Sequence, residues 1–199
     1  MIQSGRIVLA SQSAARAAVL RGAGLVFEAR PARIDEGAVK AAGQAEGARV
    51  EEVALALAGM KAMRVREPGT VVIGADQVLD CEGRWFDKPE SIGAARAQLL
   101  ALRGRVHRLV TAVVCMRDGR EVWRHWVAPR MAMRSFSEPF LDAYLGMEGD
   151  LVMQSVGGYR IEGPGVQLFD AMDGEYSAIL GLPLLPLLGF LRQNAVLGA

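Results

Sequence analysis

Short apolar runs alternate with amphipathic segments along most of the chain. Runs of strand length occur at residues 7–10, 71–75, 107–116 and 121–128, and they predict strands. Helical periodicity or capping residues predict helices at 14–23, 50–65, 91–102, 137–145 and 183–193. The Asp-Gly pair at 118–119 predicts a hairpin. Because hairpins occur beside alternating strands and helices, the pattern predicts a mixed α/β fold and excludes a purely parallel sheet.

Two segments matter for chemistry because of where their acidic residues fall. The stretch from Pro31 to Gly47 is polar and rich in glycine and alanine, which predicts a loop that carries Asp35 and Glu36. The strand at 71–75 is expected to end there and to deliver Asp76 just beyond its carboxyl end. Open sheets bind ligands at that edge, so Asp76 is a candidate to hold a divalent metal or to polarise an attacking water. An aspartate that simply starts a turn is the alternative.

The Ser11–Arg16 turn has the composition of an anion site. A strand is followed by Ser11 and Ser13, and Ser13 is expected to cap the next helix. The first N–H groups of a helix lack backbone partners and favour anions. Two hydroxyls add donors, and Arg16 adds a planar cation suited to phosphate. A capped helix with a surface arginine is the alternative, and the glycine-rich turn of a Walker loop is absent.

Two lysines and one histidine are further candidates. Lys61 falls in an apolar helix, where it either meets Glu36 or lies along the surface with its charge in water. Lys88 precedes Pro89, which favours an extended backbone that can aim the ammonium at a phosphate; a lysine in a turn is the alternative. His107 opens a strand, a position that favours a structural role over a catalytic one.

Composition narrows the function classes. The chain has 23 Lys and Arg against 22 Asp and Glu, a net charge of +1, which argues against a nucleic-acid-binding surface. Cys81 and Cys115 have no His or Cys at metal-ligand spacing, so a thiolate zinc site is not expected. The N-terminal residues do not resemble a signal peptide, and the apolar stretch at 179–191 is short and broken by Gly and Pro. We therefore expect a cytoplasmic protein without membrane partners.

Taken in order, these motifs resemble the Maf family of nucleotide pyrophosphatases, once described as septum-formation inhibitors. The matching pieces run nearly end to end: Leu9–Ser13 with Arg16, Asp35-Glu36, Leu57-Ala58 with Lys61-Ala62, Gly74–Val78, Lys88-Pro89, Leu102–Gly104 with His107, Thr111–Val113, Gly158–Gly163 and Leu180–Leu184. Each motif by itself is only a weak indication of this family, but the whole set in this order is specific to it.

The resemblance implies a fold and a reaction. The fold is one Maf-like domain over residues 1–199, with an elongated mixed β-sheet, flanking helices and two lobes around a cleft, as in inosine triphosphatases. The reaction converts a nucleoside triphosphate and water to the monophosphate and pyrophosphate. The resemblance also implies a divalent cation such as Mg²⁺, Mn²⁺ or Co²⁺, and often a homodimer.

The site residues follow from the matching motifs. The catalytic group would comprise Asp76, Lys61 and Lys88, with Asp76 as general base or metal ligand. Glu36 and Asp76 would hold the cation. Ser11, Ser13 and Arg16 would join the two lysines in neutralising the triphosphate.

Three positions of the family that vary with substrate fall at Ala15, Gln77 and Glu162. The branch that resembles thymidine and uridine triphosphatases has Arg, Thr and Gln there, whereas the branch that acts on 7-methyl-GTP has a large aromatic residue, Gln and Glu. This chain matches the second branch at Gln77 and Glu162 and neither branch at Ala15. A guanine-type base such as that of 7-methyl-GTP is therefore expected. The alternatives are a dTTP/UTP-preferring enzyme and a nucleotide-binding regulator of cell division without significant turnover.

Overall fold

The computed structural model describes residues 2–198, which form eight strands and seven α-helices. The strands are β1 Ile7–Leu9, β2 Glu28–Ala29, β3 Val71–Cys81, β4 Arg84–Phe86, β5 Val106–Arg117, β6 Arg120–Val127, β7 Arg130–Met133 and β8 Phe169–Asp173. The helices are α1 Ala14–Gly22, α2 Glu36–Ala45, α3 Val50–Met63, α4 Ile92–Leu102, α5 Glu138–Glu148, α6 Tyr176–Ile179 and α7 Leu184–Gln193. Short 3₁₀ turns occupy Gly149–Gln154, Val156–Gly158 and Pro164–Leu168.

The strands form one mixed sheet in the order β2-β1-β3-β5-β7-β8, with β4 added to β3 and β6 added to β5. Strand β1 pairs in parallel with β2 and β3, whereas the hairpin partners are antiparallel. The turn between β5 and β6 contains Asp118 and Gly119, both at positive φ, as the Asp-Gly signal predicts. The mixed α/β fold is therefore confirmed.

The described chain divides into two compact units. The first comprises residues 2–77, 111–127 and 175–198. Its core joins apolar side chains of β1 and β3 to those of α1 and α7, including Leu9, Leu20, Ile73 and Leu187, all fully buried. Strands with near-continuous apolar runs need cover on both faces, which helices supply. This unit contains most of the predicted site residues.

The second unit comprises residues 78–110 and 128–174. In it, β4 pairs with the end of β3, and β7 lies between β5 and β8 with antiparallel register. Helix α4 begins where Ser91 accepts a hydrogen bond from the Ala94 N–H, as predicted. The single-domain assignment over 1–199 stays a prediction.

The loop prediction for Pro31 to Gly47 is wrong at its centre, because residues 36–45 form helix α2. Asp35 caps this helix by accepting from the Ala38 N–H at 2.9 Å. Gly43 is buried against Val53 of α3, so close that a Cβ at this position would clash with the Val53 side chain. The glycine that suggested a loop instead allows two helices to approach closely.

The prediction that a strand ends before Asp76 is also wrong. Strand β3 continues through Asp76 to Cys81, and all of its residues except the half-buried Gln77 are buried. A charged residue inside a buried strand is tolerated only with a partner, and that partner is far away in the sequence. Near the C-terminus, strand β8 follows directly after the 3₁₀ turn Pro164–Leu168.

Within residues 2–198, no helix combines the length and the apolar character that a bilayer span requires. The predicted localisation stays a prediction.

Candidate functional site

A close contact between β3 and α3 places the central side chains of the site. Gly74 of β3 lies directly under α3, where a Cβ would approach the Ala62 backbone nitrogen to 2.8 Å and also clash with the Ala58 carbonyl oxygen. The absence of a side chain therefore lets the helix lie on the strand. As a result, Lys61 of α3 reaches Asp76, two residues further along β3.

The Lys61 ammonium lies between two carboxylates. Its Nζ is 2.5 Å from Asp76 Oδ1 and 2.7 Å from Glu36 Oε1. The side chains of Lys61 and Asp76 are 8% and 4% exposed, whereas that of Glu36 is 45% exposed. The structure thus brings together three residues that sequence reasoning linked only loosely, with Glu36 at the open side.

The cations around Glu36 favour its charged form. Burial raises the pKa of Glu36, but the charge and hydrogen bond of Lys61, aided by Lys40 and Arg16, outweigh burial and hold the pKa below its usual value. Burial lowers the pKa of Arg16, against the opposing effect of Asp76 and then Glu36. Two carboxylates and several cations therefore share one small volume.

One oxygen of Asp76 fits a cation. Asp76 Oδ2 is buried and accepts no hydrogen bond from the described residues, although Oδ1 is paired with Lys61. Within residues 2–198, no three His, Cys, Asp or Glu side chains form a complete metal cage. Magnesium is commonly held by one or two carboxylates plus waters and substrate phosphates, a donor set that Asp76 and Glu36 match.

The Ser11–Arg16 turn is held together by hydrogen bonds among its own side chains and backbone. Ser13 caps α1 by accepting from the Arg16 N–H at 3.3 Å, so the predicted cap is confirmed. Ser11 Oγ accepts from the Ser13 N–H and from the Arg16 guanidinium at 3.1 and 3.3 Å. Both hydroxyl oxygens act as acceptors within the turn, so their hydrogens are left to donate to a ligand.

Arg16 and Gln77 are both held by the polypeptide just before α7. Arg16 Nε donates to the Gly181 carbonyl at 2.8 Å. The Gln77 amide nitrogen lies 2.8 Å from Thr111 Oγ1 and 3.1 Å from the carbonyl oxygens of Ala178 and Ile179. These two side chains are therefore fixed in orientation within the first unit.

Three remaining candidates can be placed, but their roles stay predictions. Ala15 lies half-buried in the first turn of α1. Lys88 and Glu162 belong to the second unit and are exposed. Glu162 accepts from Arg160 at 3.4 Å, and Arg160 also pairs with the buried carboxylate of Glu148.

His107 is structural in this molecule, as its strand position favours. It is buried in the second unit, with Nε2 2.7 Å from Tyr159 Oη and its ring 5.9 Å from that of Phe169. Burial lowers the pKa of His107 to about 4, so the ring is neutral near pH 7.

Sequence reasoning missed Lys40 and Thr111. Lys40 is buried on α2, four residues after Glu36, and its charge acts on the Glu36 carboxylate. That i,i+4 spacing would have been readable if α2 had been predicted. Thr111 lay inside a quoted motif, but its contacts come from a segment more than sixty residues away, and no local signal indicates them.

The chain is similar to known proteins over nearly its whole length. A family model described as Maf-like protein matches residues 6–194. The chain is 54% identical to a nucleoside triphosphate pyrophosphatase of Granulibacter bethesdensis over 96% of this chain and 98% of the relative. It is also 54% identical to a protein of the same name from Paramagnetospirillum magneticum, over 96% and 99% of the two chains.

A third relative carries a more specific name. A 7-methyl-GTP pyrophosphatase of Brucella abortus is 48% identical over 95% of this chain and 96% of the relative. Among solved structures, a nucleoside-triphosphatase/dITP/XTP pyrophosphatase of Mycobacterium abscessus matches 73% of this chain and 95% of its own, with 16% identity and a TM-score of 0.37. That structural likeness is too distant to support a shared function.

Proposed function

The chain belongs to the Maf family, and on that premise we propose that it is a nucleoside triphosphate pyrophosphatase. The substrate and water give a nucleoside monophosphate and pyrophosphate. In this reaction the bond between the α-phosphorus and the bridging oxygen breaks, and the oxygen of water takes the vacated place on phosphorus. Pyrophosphate is the leaving group.

The observation that carries the proposal is the pair of carboxylates around Lys61. Asp76 is buried and keeps one oxygen, Oδ2, without a partner among residues 2–198. An unpaired buried acceptor is costly, so its retention beside a cluster of cations is explained by a ligand that completes it. A cation or an attacking water each supplies what Oδ2 lacks.

The side chains of this region then have separate tasks. Asp76 accepts the proton of the attacking water or anchors a cation, and Glu36 provides a second carboxylate at the open side. Lys61 holds both carboxylates in place and contributes positive charge. Ser11, Ser13 and Arg16, with the N-terminus of α1, bind phosphate oxygens. Lys88 is proposed to add charge at the phosphates.

The donor set fits Mg²⁺, Mn²⁺ or Co²⁺ held by Glu36 and Asp76. When bound, such a cation neutralises phosphate charge and acts as a Lewis acid. The protein residues bring the carboxylates to one place, shield Asp76 from bulk water and leave room for phosphate oxygens as further ligands. We also propose a cytoplasmic location and a homodimeric assembly as in the family.

We further propose a guanine-type base, such as that of 7-methyl-GTP. Gln77 and Glu162 match the branch with this preference, and a relative at 48% identity carries that name. A carboxylate accepts hydrogen bonds from adjacent N–H groups, and guanine presents two, at N1 and at the exocyclic amine. Glu162 therefore suits guanine better than a base that presents one N–H donor between two acceptor oxygens.

A panel of nucleotides tests both the proposed reaction and the proposed base preference. Pyrophosphate release is measured with Mg²⁺ or Mn²⁺ for GTP, 7-methyl-GTP, dTTP, UTP, CTP, ATP and ITP. We expect turnover with the highest kcat/KM for 7-methyl-GTP or GTP. Efficient hydrolysis of dTTP and UTP with inert guanine nucleotides would overturn the base preference while preserving the reaction.

Absence of turnover on every nucleotide would overturn the reaction itself. Nucleotide binding without turnover would then favour a regulatory role, because binding needs the cations but only hydrolysis needs the two carboxylates. A Glu162→Gln variant sharpens the base assignment. It is expected to lower kcat/KM for guanine nucleotides more than for pyrimidine nucleotides.

A further inference from the structure

A short segment before α7 accepts hydrogen bonds from two distant side chains. The segment consists of α6 and the turn that follows, residues 176–181. Its Gly181 carbonyl accepts from Arg16 Nε at 2.8 Å, and its Ala178 and Ile179 carbonyls each lie 3.1 Å from Gln77 Nε2. Residues separated by more than a hundred positions in sequence are thus held by the same stretch of backbone.

The contacts of Gln77 determine which end of its amide is available. The carbonyl oxygens of Ala178 and Ile179 can only accept, so the amide atom that faces them must be nitrogen. Thr111 Oγ1 donates to the Ala178 carbonyl at 2.9 Å, which leaves this hydroxyl as an acceptor towards Gln77 at 2.8 Å. The amide nitrogen is therefore fully used.

The other end of the amide remains available. The hydrogen bonds that the Gln77 side chain makes to Thr111, Ala178 and Ile179 all run through Nε2, and Oε1 is not one of the buried unpartnered atoms among residues 2–198. Since Gln77 itself is only half-buried, Oε1 is accessible to a ligand. The local structure thus presents an acceptor and hides the donor.

The segment is itself held firmly. Glu175 Oε1 accepts from Ser177 Oγ at 2.5 Å and from the Leu185 N–H at 3.0 Å. Ser177 Oγ accepts from the Leu184 N–H at 3.2 Å, so the segment is tied to the first turn of α7. Gly181 has φ of +97°, and a Cβ there would lie 3.1 Å from Arg16 Nε. Only glycine suits both the backbone and the close approach of the guanidinium.

We infer that residues 176–181, together with Thr111, form a positioning element for the substrate. The Gly181 carbonyl orients the Arg16 guanidinium towards phosphate. Thr111 and the Ala178 and Ile179 carbonyls hold Gln77 so that Oε1 reads an N–H donor on the base. This inference rests on the proposed function, in which Arg16 binds phosphate and Gln77 faces the base.

The inference predicts a separation of two effects. Disturbing the Gln77 end should change the choice among bases, because an amide free to turn can present either a donor or an acceptor. Disturbing the Arg16 end should weaken every triphosphate to a similar extent, because phosphate is common to all of them. A purely structural segment would affect all substrates together at either end.

Thr111 supplies the first set of variants. Thr111→Val removes the hydroxyl with little change of shape, Thr111→Ser keeps it, and Thr70→Val is the matched control. Thr70 is also fully buried in the first unit, but its hydroxyl bonds to the local Pro68 carbonyl at 3.4 Å. The measurement is kcat and KM for the panel of triphosphates, with circular dichroism to verify folding.

We expect Thr111→Val to reduce the ratio of kcat/KM between the best and the poorest base by about tenfold, the value of one hydrogen bond. The loss should appear mainly in KM for the preferred nucleotide. Thr111→Ser should restore most of the ratio, and Thr70→Val should leave it unchanged. Gly181→Ala should raise KM for every triphosphate by a similar factor without changing the ratio.

Two results overturn the inference alone while the wild type turns over nucleotides. One is a base ratio that is the same in Thr111→Val and Thr70→Val, and the other is a Thr111→Ser variant that is as impaired as Thr111→Val. A wild type without pyrophosphate release on any nucleotide overturns the proposed function and this inference together. If Gly181→Ala does not fold, the Thr111 series decides the matter by itself.

Discussion

Each unit of the molecule buries two side-chain polar atoms that have no hydrogen-bond partner among residues 2–198. Asp76 Oδ2 is one of the two in the first unit, and His107 Nδ1 is one of the two in the second. Both side chains are nearly inaccessible, and both make one short contact through their other polar atom, with Lys61 and with Tyr159 respectively. Their surroundings, however, differ in kind.

Asp76 is surrounded by charge, whereas His107 is surrounded by rings. The Lys61 ammonium joins Asp76 to Glu36, and Arg16 interacts with both carboxylates. His107 lies against aromatic neighbours at 5.6 and 5.9 Å between ring centroids, and burial keeps it neutral. An unpaired atom in a neutral aromatic environment needs no ligand to balance its charge, whereas an unpaired carboxylate oxygen among cations indicates one.

The largest expected effect is on turnover and comes from changing Asp76, the carboxylate surrounded by charged side chains. Asp76→Asn keeps the shape of the side chain but removes its charge and its capacity to accept a proton. We expect kcat for pyrophosphate release to fall by about 10² to 10⁴-fold, the usual range for losing a general base. The measurement is steady-state kinetics with the best nucleotide of the panel.

Asp80→Asn is the matched control for that variant. Asp80 is buried on the same strand, but it belongs to the second unit and pairs with Arg108 at 2.6 Å. Its replacement should reduce stability and leave turnover near that of the wild type. Equal losses of turnover in the two variants would show that any buried carboxylate on β3 matters, and Asp76 would lose its special role.

The burial of the neutral His107 ring predicts that the stability of the protein depends on pH. Because burial lowers the pKa of His107 from 6.5 to about 4, the unfolded chain binds this proton first as pH falls. Stability from this group is therefore complete above about pH 6.5 and is lost progressively down to about pH 4, by about 3 kcal/mol in total. Urea unfolding across this range should show the loss, and His107→Gln should flatten the part due to this residue.

Nuclear magnetic resonance gives a direct reading, because the chain has two histidines. One imidazole resonance should titrate near pH 4 and disappear from the spectrum of His107→Gln. A resonance of His107 that titrates near 6.5 would contradict the neutral aromatic environment and weaken the contrast with Asp76.

Gly74→Ala tests whether close contact of β3 with α3 is what brings Lys61 to Asp76. The new Cβ would meet backbone atoms of α3, which cannot rotate away, so we expect a loss of about 1–3 kcal/mol in the free energy of unfolding. Turnover should fall as well, because the helix carrying Lys61 must shift. Gly59→Ala, on α3 itself with nothing within 4 Å, should be neutral or stabilising. Equal stability of the two variants would rule out this account of the site.

The smallest effect concerns the cation. With Mg²⁺ or Mn²⁺ tenfold above its Kd, binding stabilises the wild type by about 1.4 kcal/mol, visible as a rise in melting temperature. Glu36→Gln should reduce this rise, and Glu46→Gln, at the other end of α2, should not. A rise that is unchanged in Glu36→Gln would place the cation elsewhere.

Local signals predicted much of the fold. The Ser13 and Ser91 caps and the turn at Asp118 and Gly119 act within four residues, so sequence alone sufficed for them. Helix α2 was missed because a polar stretch rich in glycine and alanine predicts a loop, whereas the missing side chain at Gly43 allows α2 to lie against Val53 of α3. Such a contact is invisible until the two helices are placed together.

The site was predictable in its residue types and not in its geometry. Asp76 was identified, but its charge was interpreted as the end of a strand, because nothing nearby in sequence neutralises it. Lys61 does so from fifteen residues away and Glu36 joins from another helix. The roles of Thr111 and of the 176–181 backbone depend on contacts across more than sixty residues, which no local pattern contains.

The start of α2 has one further consequence. Asp35, which caps the helix, and Glu36, which reaches Lys61, are neighbours in sequence. Fraying of this first turn would withdraw Glu36 from the cluster while β3 and α3 remain folded. Local opening of α2 and cation affinity are therefore linked equilibria, and ligand binding should slow amide hydrogen exchange in the first turn of α2. Amide hydrogen exchange in α2 would then report whether the site holds a ligand.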